Sequence, residues 1–459
     1  MNRKRLNILL LTAVLSLLVL NISGTSMALE LNPADSATIT QTYTPHAIIN
    51  IDGNAEFLAQ DAIEDWPGDG SPESPIVISG YSFAAAEWMF RVENSDLHYE
   101  FIDNQLDGLA YVWCGIAIVN AANGVIRDNT VRRAAAGIHV VTVEDYIIEG
   151  NDVQDSPFGG IIVEDGSVNV TVKNNIVYDN ENFGIHIGNP FGSATSHNIT
   201  IVGNTVYGNS PGGITLLEAE NCIVENNDIY DHAQKGIVLE TASHHINFNN
   251  ITDCQTGIHI TGGNATFEHN TISRVEFGIT VITENNTFTD NYIFDCEEIG
   301  LRFYYSYSDG VGGANNIVAR NVFANNSRWG LDLTANADNN LIQNNYFFMN
   351  GDTCQATDDG ANNVFDSNYW DDWIAPDANN DSIVDIPYEI DGDAENSDLH
   401  PMAAPNESIP PWYVAPSTSG NETTTTTGTS LPIEPLFLAI GGSAVVIVLI
   451  GVIFVKKRK

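Results

Sequence analysis

Three histidines stand in nearly the same tetrapeptide: GIHV at 137–140, GIHI at 184–187 and GIHI again at 257–260. Imidazole is a common metal ligand and titrates near neutral pH, so the recurrence of His139, His186 and His259 raises both metal and acid–base chemistry. A second candidate is DANNDSIVD at 377–385. Side-chain oxygens of Asp377, Asn379, Asp381 and Asp385 fall at loop positions 1, 3, 5 and 9, with the Ile383 carbonyl at 7. That is the pattern by which a loop wraps a hard cation such as Ca²⁺. Ser382 replaces the usual Gly, and Tyr388 stands at position 12 in place of Glu, with Glu389 following. A third group is aromatic: Arg302, Tyr304, Tyr305 and Tyr307 lie in LRFYYSYSDGVGGANN, and Trp329 opens the following unit. Aromatic faces beside a few hydrogen-bonding groups suit a sugar. The bland reading of each is surface histidines, an acidic turn, and a loop packing its tyrosines on the flank.

What positions these groups is a repeat. Glycines opening Gly-apolar-x-apolar recur at 115, 137, 160, 184, 213, 236, 257, 278, 300 and 330, at spacings of 21 to 30 residues. A column of Asn runs in step, from Asn104, Asn129, Asn151 and Asn175 to Asn345 and Asn368, one copy near Asn249 and Asn250 being a residue short. A fixed period in this range marks a solenoid. Its units are short Ile/Val alternations between Gly, Asn and Asp turns, with no helical period, so each is one coil of a parallel β-helix. About eleven coils follow, stacked at ~4.8 Å, with Ile and Val inside and the Asn column at a tight bend where Asn tolerates left-handed backbone. In Gly-Ile-x-Ile the x positions then form an outward column: Arg91, Ala117, His139, Ile162, His186, Thr215, Val238, His259, Thr280, Arg302 and Asp332. His139 and His186 would lie two coils apart, ~9.6 Å, too far to share one metal whose nitrogens sit at ~2.0–2.1 Å. Open strand edges at both ends require caps.

The expected organisation is a signal peptide at 1–28, a linker at 29–45, an N-terminal cap and first strand at 46–86, β-helix repeats at 87–370 and a C-terminal cap at 371–404. A Ser/Thr/Pro stalk at 405–433, a transmembrane helix at 434–455 and a basic cytoplasmic tail at 456–459 complete it. Arg3, Lys4 and Arg5 before an apolar run, with Ser26-Met27-Ala28 after it, carry the signal assignment. Twenty uncharged residues before KKRK suffice to cross a ~30 Å hydrocarbon core. The expected location is the cell surface, with the C-terminus inside. The chain carries −42 overall; the three basic residues at its start and four at its end leave −49 for the part between, with only ten Lys or Arg. Such a field disfavours nucleic acid and suits solvation in salt. Sequons at Asn169, Asn198, Asn250, Asn264, Asn285, Asn325, Asn406 and Asn421 are glycosylation candidates, and a further one lies at Asn380. Five cysteines without close pairs predict free, mostly buried thiols.

INIDGNAEFL with GDGSPESPIVISGY, and NYWDDWIAPDANNDSIVDIPYEIDGDAENSDLHPM near the other end, resemble the entry segment and the archaeal-style C-terminal cap of NosD-like right-handed β-helix proteins. The resemblance spans residues 46 to about 402. It implies a pectin-lyase-like solenoid of the carbohydrate-binding and sugar-hydrolase type, and it raises copper maturation as a function. The spacing of the histidines and the lack of a Met-rich or Cys–His cluster argue against copper. Paired carboxylates for glycoside hydrolysis are lacking on the outward column, where Asp332 is expected to pair with Arg302. Polygalacturonase-type NTD, GHG and RIK motifs are absent. The expectation is therefore a membrane-tethered β-helix that binds an extracellular glycan or surface-layer component. A polysaccharide-active enzyme is the first alternative and a copper-maturation factor the second.

Overall fold

In the computed structural model, the described residues run from 42 to 405, apart from 110–112, 190–193, 305–311, 352–353 and 374–375. The segments assigned to signal, stalk, transmembrane helix and tail lie outside them. Among the described residues no helix is long and apolar enough to cross a membrane.

Short Ile/Val alternations cannot bury two faces alone, so they stack. The chain winds as a right-handed parallel β-helix of about twelve turns, one more than the repeat count gave. The extra turn comes from the region assigned to the cap. Its strands Ile49–Asp52 and Ile76–Ser79 pair in parallel with Phe90–Glu93 and Tyr99–Ile102 and so belong to the ladders. Each turn contributes to three ladders, exemplified by Ala136–Val141, Glu144–Glu149 and Asp152–Gln154. Inward Ile116, Ile138, Ile161, Ile185 and their successors are fully buried. The glycine column has no left-handed backbone; its purpose is close approach. A Cβ on Gly236 would lie 2.6 Å from Gly257 O.

The Asn column is a continuous hydrogen-bonded ladder of twelve residues in which Asn249 supplies the copy that looked short. Asn227 shows the rule: its backbone N–H and its Nδ2 both donate to Asn249 Oδ1, at 3.1 and 3.0 Å, and Nδ2 also donates to Ile201 O at 3.0 Å. The expected bend chemistry needs one correction. Left-handed backbone falls on the residue before each ladder Asn, such as Asp103, Asp128 and Asn226, and not on the Asn itself. The ladder side chain must point inward to bond, and the preceding residue makes the turn that allows it. Three shorter polar ladders accompany it, one through Asn180, Asn209 and His232, one through Asn286, Asn316, Asn340 and Asn363, and one through Asn326, Asn350 and Gln355.

The ends are closed differently. An α-helix over Asn54–Glu64, which the periodicity did not reveal, covers the first coil by inserting Phe57 against Tyr99 and Trp66, with centroids 5.2 and 6.5 Å apart. Only Phe57 of that helix is buried, so no apolar stripe marks it in the sequence. At the other end Trp370 stacks on Phe347 and Tyr388 at 4.2 and 4.1 Å. The fully buried Asp398 terminates the ladder, its Oδ2 accepting from Asn368 N and Nδ2 and from Trp370 Nε1.

Ladder and turn positions should respond oppositely to substitution. Asn227→Ala strips Asn204 of its acceptor and leaves Ile201 O without its donor. Urea denaturation should register a loss of about 3 kcal/mol, from unsatisfied buried groups at ~1–3 kcal/mol each. Asn226→Gly, at φ 54°, should change stability by less than about 0.5 kcal/mol or raise it. Equal effects would refute the ladder as the main polar constraint.

Candidate functional site

The outward column has the expected register, running through Arg91, His139, His186, His259, Arg302 and Asp332. It is not the solvated face foreseen. Ala117, Ile162, Thr215, Val238 and Asp332 on it are buried, and the three histidines are half-buried. Rungs ~4.8 Å apart shield one another, so an outward side chain here spends its surface on its neighbours.

The histidines are therefore engaged. His259 Nδ1 lies 2.8 Å from Thr280 Oγ1. Burial, with help from Lys235, pulls its pKa down to about 4. His186 stacks on Phe183 at 5.5 Å and is lowered by burial. His139 bridges Cys114 and Glu164, a Cys–His contact that the sequence did not disclose because the partners are 25 residues apart. No group of three or more His, Cys, Asp or Glu converges on a metal-sized site among the described residues.

An open groove of about 480 Å³ crosses this column over four coils, lined by Lys235, Gln255, Thr256, His259, Phe277, Thr280, Arg302 and Tyr304. Parallel pairing carries Lys235 to Thr256, Thr256 to Phe277, and Phe277 to Ile299 and Trp329, a second outward column beside the first. Arg302 stands 5.8 Å from both the Phe277 and Tyr304 rings. Its Nε lies 3.0 Å from Asp332 Oδ2, a charge contact more than an aligned hydrogen bond. Burial raises Asp332 to about 6 against the pull of Arg302 and Arg328. Lys235 forms no ion pair among the described residues, and burial draws its pKa down. The groove thus offers a cation, a neutral imidazole, hydroxyls, an amide and two aromatic rings, a set that can hydrogen-bond and stack on a polyhydroxylated or carboxylated ring.

Of the aromatic group expected to hold a sugar, Arg302 and Tyr304 are brought into this groove. Trp329 lies on the adjoining coil beneath Arg328, whose guanidinium is 3.9 Å from its ring. Tyr305 and Tyr307 lie outside the described residues. Lys235, Thr256 and Phe277 lie on a column three residues before the x positions, with Gln255 preceding Thr256, so the Gly-Ile-x-Ile pattern does not reach them.

In the cap loop the side chains serve the backbone. Asp377 Oδ1 and Oδ2 accept from Asp381 N and Ser382 N, Asn379 Oδ1 from Asp381 N, Asp381 Oδ1 from Ile383 N, and Asp385 Oδ2 from Ala378 N. Sequon residues Asn169, Asn198, Asn250, Asn264, Asn285, Asn325 and Asn380 are exposed, whereas Asn406 and Asn421 lie outside the described residues. All five cysteines are free: Cys222, Cys254 and Cys296 are buried, Cys114 and Cys354 partly so.

The family described as "right handed beta helix region" matches residues 114–229 and 212–369. No curated protein matches. Among solved structures, an alginate lyase from Paenibacillus sp. str. FPU-7 is 16% identical with a TM-score of 0.43, over 54% of this chain and 94% of that one. A form of the periplasmic alginate epimerase AlgG is 14% identical with a TM-score of 0.47, over 70% and 84%. The mannuronan C-5 epimerase AlgE6 A-module of Azotobacter vinelandii is 15% identical with a TM-score of 0.42, over 64% and 87%.

The buried titrating groups give the fold an acid-side signature. His259 and His244 are both held at about 4 by burial. The unfolded chain takes up their protons from about pH 6.5, so their contribution is present above that pH and is lost as pH falls through 4. Asp332 acts in the opposite sense: its raised pKa costs stability as pH rises from about 4 to 6. In melting curves from pH 7 to 4, His259→Gln should shrink the acid loss and Asp332→Asn should deepen it. No change in either variant would contradict these burial effects.

Proposed function

The chain belongs to the right-handed β-helix family, and from that premise we propose that it is a surface-held glycan-binding or interaction scaffold whose binding site is the groove around Lys235, His259, Arg302 and Tyr304. The observation that carries the reading is the convergence, from four coils, of a cation with no ion-pair partner among the described residues, hydrogen-bonding side chains and two rings on one open face. Sugar chains are elongated, and a groove crossing several equally spaced coils matches a ligand of repeating units. The reading places the protein outside the cell on its own tether at 434–455, with a glycan or surface-layer component as partner and the sequon asparagines as glycosylation sites.

A second reading, a polysaccharide-active enzyme, is favoured by one feature. Lys235 and His259, both drawn down by burial, line the same groove as Tyr304, so an amine, an imidazole and a phenol that could exchange protons with a bound sugar face one space. The calcium part of the reading belongs to the cap: a cation held by Asp377, Asn379, Asp381, Ile383 and Asp385 would bind only the folded cap and raise its stability. Copper has no part in it.

A glycan array probed with the soluble form lacking residues 434–459 tests the main reading. Lys235→Ala and Tyr304→Ala should each weaken the positive interaction at least tenfold without lowering Tm. Binding indifferent to both would remove the groove from the function. Release of unsaturated or reducing ends from the bound polysaccharide, abolished by Lys235→Ala, would move the assignment to an enzyme. For the cap, calcium should raise Tm in excess NaCl, and the double variant Asp381→Ala, Asp385→Ala should abolish the shift; a shift that survives means the loop is an ordinary acidic turn.

A further inference from the structure

The cysteines are not equivalent. Burial pushes Cys222 and Cys254 up to about 12 and Cys296 higher still, which keeps them as inert thiols within the coils. Cys354 rests against Tyr388 Oη at 3.7 Å in the cap. Cys114 is half-buried on the outer face, and its Sγ lies 3.7 Å from His139 Nδ1. The other ring nitrogen, Nε2, is 2.6 Å from Glu164 Oε1. An ionised carboxylate only accepts, so Nε2 carries its hydrogen towards Glu164, and in the neutral ring Nδ1 is then a lone pair facing the sulfur. This is the order nucleophile, base, orienting carboxylate, with the base turned the right way round. Burial alone would draw His139 down, but its contacts with Cys114 and Glu164 outweigh that and raise it to about 9. The other charged neighbours do not compete: Arg91, two coils below His139, is paired with Glu93, and His186, two coils above it, is lowered by burial and stacked on Phe183.

The surroundings select the electrophile. Attack on a carbonyl needs N–H donors where the oxyanion forms. The N–H of Gly115, adjacent to the nucleophile, is committed to Ala136 O at 2.9 Å. Attack on a disulfide keeps the developing charge on sulfur and needs only a thiolate and a proton for the departing group. Beside Cys114, Trp113 is half exposed and packs tilted against Trp88 at 4.6 Å, with Arg91 4.7 Å over Trp88, an apolar lip for an organic disulfide.

We propose that Cys114, His139 and Glu164 form a thiol–disulfide exchange site that captures an external organic disulfide and holds it as a mixed disulfide. With the proton of the Cys114–His139 pair on His139 Nδ1, the Cys114 thiolate attacks the nearer sulfur of the incoming disulfide, and a new S–S bond forms as the old one breaks. The departing thiolate receives the proton from His139, so no net electrons are gained or lost. Cys222, the next cysteine in the chain, lies four coils further on, about 19 Å along the axis. No internal thiol resolves the product, and the site works as a covalent attachment point and not as a redox relay.

The test uses dithiodipyridine on the folded chain at pH 6, following released thiopyridone and mapping the modified thiol by peptide mass. The expected result is fast modification at Cys114, at least tenfold slower in His139→Asn and in Glu164→Gln. Continued protection of Cys222, Cys254 and Cys296 in each variant reports that the coils are intact. If the wild-type Cys114 reacts no faster than free cysteine at that pH, or equally fast in both folded variants, the proposal is overturned. Cys114-dependent turnover of p-nitrophenyl acetate without mixed-disulfide formation would also overturn it, by assigning acyl transfer instead.

Discussion

The Asn ladder is the constraint from which the rest follows. A parallel coil must turn inward-facing backbone at every corner, and buried N–H and C=O groups there have no water to bond. One Asn per turn answers several of these demands at once. Its Oδ1 takes two donors from the coil before, and its Nδ2 serves the coil after and a main-chain carbonyl. Because each Asn must meet the next within about 3 Å, the ladder fixes the register of every strand beside it. The stacking of Lys235, Thr256 and Phe277, and of His259, Thr280 and Arg302, is thereby set by a residue that touches none of them.

This division explains what could be read from the chain. Fold class, coil period, inward Ile and the outward column were legible because each is a one-dimensional pattern repeated many times. The free cysteines were legible from their spacing. The N-terminal helix was not, since Phe57 is its single buried anchor. The groove was half legible: Arg302 and Tyr304 are neighbours in sequence, whereas Lys235 joins them only through three successive parallel pairings. The Cys114–His139 contact was missed for a related reason, as Cys114 precedes the repeat glycine and belongs to no column.

The burial of the outward column also changes how its residues should be understood. An alternating strand pattern assigns every second side chain to solvent, and in an isolated sheet His139 and His259 would be there. In a stack of coils the neighbours above and below take up much of that exposure. Imidazoles and carboxylates on this face consequently sit in partly dehydrated settings, where His139 moves up to about 9 and His259 down to about 4 according to its contacts. The same histidine in the same tetrapeptide therefore carries different charge on different coils, and identity of motif does not imply identity of role.

Of the four polar ladders, the three that end in Asn368, Asn363 and Asn350 share a direction. In these each amide donates towards the following coil, so the final amide faces the C-terminal end with hydrogens to place. Acceptors meet them there: Asp398 for Asn368, Asp358 for Asn363, and Gln355, itself bonded to Asp371 and Asp372, for Asn350. At the start, Asn104 is met instead by a donor, the N–H of Tyr81. The stack is thus a vectorial polymer with unlike termini, comparable to a chain of aligned dipoles closed by negative charge. An interior turn could be duplicated or lost without altering what either terminus requires, whereas the two stoppers, one a donor and the other an acceptor, cannot be exchanged.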